Sequence, residues 1–202
     1  MSLFHRIKQD QAPKIIKLIT EISRGDFVKY EYNHEYGILE VYRVLYGPVF
    51  YPVVYADMPG TWNTHDGDPL DAVIYTSGNI IPGALVYGKV IGLLEMIDDG
   101  EIDHKIVCIN DRDPRYKHVN HVDDLSEYER KDLVTFMETY KYAQKGPDAV
   151  KIPGFKGPEE AYRFIEECQQ EYVKLFGIQD ENDCECGGDC GCGGDCDCGS
   201  HN

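Results

Sequence analysis

The 202-residue chain is short of three things, and each shortage excludes a class. Cysteine is scarce where a fold could use it: of eight, only Cys108 and Cys168 lie in the body, and the other six crowd into residues 184 to 198. That distribution excludes a disulfide framework stapling the domain. Positive charge is scarce too, with 20 Lys and Arg against 36 Asp and Glu and a formal net charge of -16. Such a balance argues against nucleic acid as the main partner. Finally, the opening segment has no apolar run: Met1 to Pro13 carries His5, Arg6, Lys8 and Asp10. A signal peptide and a membrane span are thereby excluded there, and a cytoplasmic address without a membrane partner is expected.

What is present suits one domain with a tail. A chain of this length buries roughly 70% of its unfolded surface on folding, enough for one core. From Lys14 to Ile22, Ile38 to Val44, Ala72 to Thr76, Ala84 to Ile97 and His104 to Asn110 the pattern is β-branched or near-alternating, which predicts strands. Gly88 and Gly92 predict bulges or tight bends within the longest of them. After residue 110 the period changes. Ser126 and Glu129 form a capping box ahead of Leu133, Phe136, Met137 and Tyr140, so one helix is expected over roughly 127 to 143. Pro158 opens another, with Ala161, Ile165, Cys168, Tyr172 and Leu175 on one face and Gly177 as its cap. A short strand over 149 to 152 lies between them. The expected class is α+β: a small closed OB-like β-barrel of about five strands flanked by two helices, with a disordered tail.

Chemistry concentrates in two acidic loops. Asp66, Asp68 and Asp71 occupy a Gly/Pro-containing turn before a strand, and Asp98 and Asp103 are expected face to face across a hairpin mouth. Like charges so close need cations, and oxygen donors without His or Cys select hard ions, Mg²⁺ or Mn²⁺. Lys29, Glu31, Arg43, Tyr51, Tyr55, Lys105, Tyr140 and Lys141 are interleaved with these acids. Carboxylate-held ions plus Lys, Arg and Tyr donors are what phosphoryl transfer needs, because its chemistry is mainly positioning and charge neutralisation.

The ordered set VKYE (28 to 31), Arg43, FYPVVY (50 to 55), DGDPLD (66 to 71), MIDDGEIDHK (96 to 105), DPRY (113 to 116) and TYK (139 to 141) resembles the soluble family I inorganic pyrophosphatases of the short prokaryotic type. The resemblance implies hydrolysis of inorganic pyrophosphate to two orthophosphates by a Mg²⁺-activated water, with Asp68 as general base. It implies metal ligation by Asp66, Asp71 and Asp103, with Asp98 at a further site and Glu31 joining with substrate. Pyrophosphate contacts fall to Lys29, Arg43, Tyr55, Tyr140 and Lys141, and second to Tyr51, Lys105 and Glu21. A homo-oligomer, a hexamer in particular, is implied as well. Against the family pattern, Tyr55 is followed by Ala56, Asp57 and Met58, so that a polar Asp57 replaces an apolar residue.

Residues 1–179 are thus expected to form the pyrophosphatase domain and 180–202 the tail. Cys184, Cys186, Cys190, Cys192, Cys196 and Cys198 form C-x-C pairs repeated every six residues, a pattern suited to a soft ion such as Zn²⁺ or Cu⁺. Alternative readings are an OB-like binding module and a soft-metal-binding protein that works through this tail. An acid-lined groove counts against the first. A nucleotide hydrolase is the nearest enzymatic rival, but no G-x-x-x-x-G-K-[ST] loop is present.

Overall fold

A computed structural model describes residues 3–33 and 35–177. The disorder and soft-metal ligation expected of residues 180–202 lie outside the described residues. The strands are β1 (Ile15–Ile22), β2 (Val28–Asn33), β3 (Ile38–Val44), β4 (Val54–Asn63), β5 (Asp68–Tyr75), β6 (Leu85–Asp98), β7 (Glu101–Ile102), β8 (Lys105–Asn110) and β9 (Val150–Lys156). The helices are α1 (Glu127–Thr139), α2 (Tyr142–Lys145) and α3 (Pro158–Phe176). No described helix is long and apolar enough to cross a membrane.

Strands β1, β4, β5, β8 and β6 follow one another in hydrogen-bonded order, and β6 pairs back onto β1. The result is a closed five-stranded barrel, antiparallel throughout except for the β5–β8 pair. Strand side chains alternate between faces, and here both faces are buried. Val54, Ala56, Met58, Leu70, Ala72, Ile74, Ile106 and Cys108 pack with Ala161, Ile165 and Cys168 of α3. The intervening Val53, Tyr55, Val73, Tyr75, Val107 and Ile109 pack with Leu133, Phe136 and Met137 of α1. Asp57, Asp71 and Lys105 share the parity of this second set, so the barrel's own alternation carries them to one side.

Several expectations hold at the residue level. Ser126 and Glu129 close the capping box, Pro158 opens α3, and Gly177 ends it at φ 64°. The β6–β8 register shifts between Val90 and Gly92. A Cβ on Gly92 would lie 2.5 Å from the Lys156 carbonyl oxygen, so the bare backbone is what lets β9 approach.

Other expectations need correction. The helix foreseen over 127 to 143 stops at Thr139, and α2 restarts at Tyr142 after Lys141 has turned its ammonium to Asp98. Leu175 is exposed rather than part of the α3 core face. The strand over 149 to 152 extends to Lys156. Strands β2 and β4 were unforeseen, and β2 pairs only with β3, in a separate two-stranded sheet.

Candidate active site

The acids reach the site by three local devices. In the turn before β5, Gly67 at φ 77° donates its amide to Asn63 O, while Asn63 Nδ2 donates to Asp66 Oδ2 at 2.9 Å and Asp68 N to Asp66 Oδ1 at 3.2 Å. This fixes Asp66 and places Asp68 at the start of a strand whose third residue on, Asp71, points into the fold. The hairpin after β6 turns on Asp99 (φ 51°) and Gly100 (φ 93°), a two-residue loop that needs positive φ at both positions. Its tightness corrects the expected pairing: Asp98 sits opposite Glu101, and Asp103 N donates to Met96 O at 3.0 Å, so Asp98 and Asp103 are not cross-strand partners. Third, β1 carries a register shift between Thr20 and Ile22 that leaves Glu21 as the extra residue, and bulges of this kind re-aim a side chain.

All eleven primary residues singled out in the body line one cavity of about 350 Å³, together with Glu21, Tyr51 and Lys105. The carboxylates Asp66, Asp68, Asp71, Asp98 and Asp103 come from the barrel and its turns, whereas Lys29, Glu31 and Arg43 come from the β2–β3 sheet. Tyr140 and Lys141 close the cavity from the end of α1. Sequence reasoning missed Asp57, Tyr42, Gln144 and Lys145 as lining residues. Only Asp57 carried a signal, as a polar residue where the family pattern is apolar.

Opposite charges are interlocked within the cavity. The Lys105 ammonium, its side chain 3% exposed, bonds both Asp71 and Asp103. Lys29 pairs with Glu31 at 2.7 Å, Lys141 with Asp98, and Arg43 Nη1 donates to Gln144 Oε1 at 2.7 Å. Lys29 and Arg43 also lie 5.0 and 5.7 Å from the Tyr42 ring centroid.

These contacts set the acidities. Burial alone would raise Asp71, but Lys105 and the Tyr55 hydroxyl hold it below the usual carboxylate range. Burial works against the Lys105 and Lys29 charges, yet the adjacent carboxylates keep both ammonium groups above their ordinary values. Asp66 is pushed up to about 7, by loss of water first and by the charges of Asp103 and Asp71. Asp68 stands at the rim, and partial desolvation of its carboxyl raises it, helped by Asp71 and Glu31. Burial holds Tyr51, Tyr55 and Tyr140 well above the ordinary phenol, so all three serve as neutral donors.

Divalent ions fit this donor set. It is all oxygen, as Mg²⁺ prefers, and the Asp98 Oδ1 atom is buried without a hydrogen-bond partner. Among the described residues no three His, Cys, Asp or Glu side chains already converge as an ion cage; Asp71 and Asp103 are paired with Lys105 and Asp98 with Lys141.

The family model for inorganic pyrophosphatase matches residues 18–173. An inorganic pyrophosphatase from Malacoplasma penetrans is 39% identical over 168 residues, covering 83% of this chain and 91% of that protein. One from Picrophilus torridus is 33% identical over 176 residues, covering 87% and 98%. The crystal structure of inorganic pyrophosphatase from Thermus thermophilus superposes with a TM-score of 0.78 at 34% identity, covering 82% of this chain and 96% of that one. Matches of that length take in the barrel, both long helices and every element that lines the cavity, and the chain belongs to the inorganic pyrophosphatase family.

Proposed function

We propose that the protein hydrolyses inorganic pyrophosphate to two orthophosphates by direct attack of water, with Mg²⁺ as cofactor and Asp68 as general base. The observation that carries this reading is the division of one cavity into a carboxylate wall from the barrel and a cationic wall from the β2–β3 sheet and the turn between α1 and α2. Asp66, Asp71 and Asp103 would hold the ions, with Asp98 at a further site and Glu31 joining when substrate is bound. Bound Mg²⁺ supplies charge neutralisation and acidifies the attacking water.

Asp68 accepts that water's proton. It suits the role because partial desolvation raises its pKa above the ordinary carboxylate value, which makes the carboxylate a stronger base, and because its side chain stands exposed at the cavity rim. Lys29, Arg43 and Lys141 offset the charge of the phosphate oxygens, and the Tyr55 and Tyr140 hydroxyls donate to them. No protein nucleophile is required.

A phosphate-release assay with Mg²⁺ that compares pyrophosphate with ATP tests the assignment. Release from pyrophosphate is expected to be the faster by far, and faster release from ATP overturns the reading. A cytoplasmic homo-oligomer, a hexamer by resemblance, belongs to the same proposal. Beside the resemblance, the exposure of Val41 and Val44 on β3 supports it, since exposed apolar side chains are candidates for contact with another copy. A monomer mass in sedimentation would refute it.

A further inference from the structure

Most of the candidate ion ligands are held by cations: Asp71 and Asp103 pair with Lys105, Asp98 with Lys141 and Glu31 with Lys29. Asp66 is held by amides instead. Its Oδ2 accepts from the Asn63 side-chain amide at 2.9 Å and its Oδ1 from the Asp68 backbone amide at 3.2 Å. One donor on each oxygen fixes the plane of the carboxylate, and each oxygen keeps a second lone pair that an ion can use.

Asn63 is the last residue of β4, 2% exposed and in register with Asp68 across the β4–β5 hairpin. It stands behind Asp66, outside the lining of the cavity. Its polar groups organise the loop 64–67. The carbonyl accepts from Gly67 N at 2.9 Å and Oδ1 from His65 N at 3.2 Å, while Nδ2 reaches Asp66. The Trp62 ring beside it meets Phe176 of α3 edge-on, 5.6 Å between centroids, so the strand end that carries Asn63 is packed against the long helix. An ionised aspartate at this position could accept from His65 but not donate to a carboxylate, and a serine is too short to serve both neighbours. Asparagine does both from one place.

We propose that Asn63 is a positioning residue for Asp66: its side-chain amide holds the carboxylate in the orientation that receives a divalent ion, a role separate from shaping the turn. This deepens the Mg²⁺ reading above and rests on it. Groups behind metal ligands orient them, and their loss generally costs about 10–100-fold in metal affinity.

Asn63→Ser and Asn63→Ala, made in the full chain, separate the two roles. Serine keeps an oxygen that accepts from the His65 amide, as in a Ser/Thr turn, but is too short to reach Asp66, whereas alanine loses both contacts. Hydrogen exchange of the 64–67 amides in the metal-free protein reports the turn, and calorimetric titration with Mg²⁺ alone reports the ligand. Positioning predicts that exchange in Asn63→Ser stays within about twofold of the parent while its Mg²⁺ dissociation constant rises about tenfold or more, as does that of Asn63→Ala. Where the serine variant does not fold, Asn63→Thr is read in the same way. Parent-like Mg²⁺ affinity in Asn63→Ser overturns the proposal. So does exchange quickened as much in Asn63→Ser as in Asn63→Ala, which would make Asn63 a turn former only. A parent chain that binds no Mg²⁺ overturns it together with the ion-ligand set. The titration uses no pyrophosphate, so a failure of the substrate assignment shows separately, as slow phosphate release by the parent.

Discussion

Lys105→Met tests whether the ammonium holds two metal-ligand candidates together in the metal-free protein. Lys105 is the common partner of Asp71 and Asp103, and its side chain is almost wholly buried. Methionine keeps much of the volume and removes the charge. Removing one partner of a buried pair generally costs about 3–5 kcal/mol. The cost here should be lower, since the Asp71 and Asp103 side chains remain 23% and 15% exposed and Asp71 keeps the Tyr55 hydroxyl. A loss of about 2–3 kcal/mol is expected, or roughly 5–10 °C in Tm for a domain of this size.

Magnesium should narrow the difference. An ion bound by Asp71 and Asp103 supplies the missing charge, and a ligand that binds only the folded state raises stability by mass action. Thermal melts of both proteins in EDTA and in millimolar Mg²⁺ check this. The variant should be the less stable in EDTA and should gain more from Mg²⁺ than the parent does. Equal Mg²⁺ gains, or an EDTA loss below about 1 kcal/mol, would refute the view that lysine and metal serve the same two carboxylates.

Two further outcomes follow from the same structure. Asp68→Asn should bind metal and fold nearly as the parent does, yet lose at least about 10²-fold in turnover by phosphate release, the usual scale for a general base; near-normal turnover removes Asp68 from that role. Asp113 accepts from the amides of Ser77 and Arg115 and from the Thr76 hydroxyl, and these bonds hold it near about 2, below its ordinary 3.8. A depressed acid stabilises above its unfolded value and loses that contribution as pH falls through the folded one, so the stability gap between the parent and Asp113→Asn should be full at pH 7 and close between about pH 4 and pH 2. Urea midpoints at pH 7, pH 3 and pH 2 read the difference: the gap should be roughly halved at pH 3 and small at pH 2, and one undiminished at pH 2 counts against the assignment.

Legibility in the sequence followed the exposure of each element. The Ile38–Val44 strand was readable to the residue because its charged and apolar residues mix on a half-exposed hairpin. Strand β4 was not, because it is buried on both faces and contains Asp57, Pro59 and Gly60, which read locally as a turn. The end of α1 was overrun because residues 140–143 keep helical spacing, and the Lys141–Asp98 ion pair found at the break is a tertiary contact that no local pattern carries. The acids of the site were legible as clusters at strand ends. Their pairing was not: Asp98 against Glu101 depends on a two-residue loop at Asp99 and Gly100 with positive φ, and the sequence equally allowed a wider turn.

The two walls of the cavity also differ in how they are held. Barrel strands are fixed on both edges by their neighbours, so Asp71 and Lys105 inherit positions from a closed ladder of backbone bonds. A two-stranded sheet is marginal by itself in water, and among the described residues β2–β3 has no strand neighbour beyond its own pair. Side-chain ties must then supply what backbone pairing gives the barrel, and Glu21 to Tyr32 N and Arg43 to Gln144 are two that span the gap. Carboxylates that gather small ions gain from a rigid base, since ligand distances tolerate little error. Cations that grip a larger anion can ride on a looser element, provided something fixes its mean position. The Glu21 carboxylate, which accepts from the Tyr32 amide, is one such fix, tying the bulge of β1 to the sheet that carries Lys29 and Arg43.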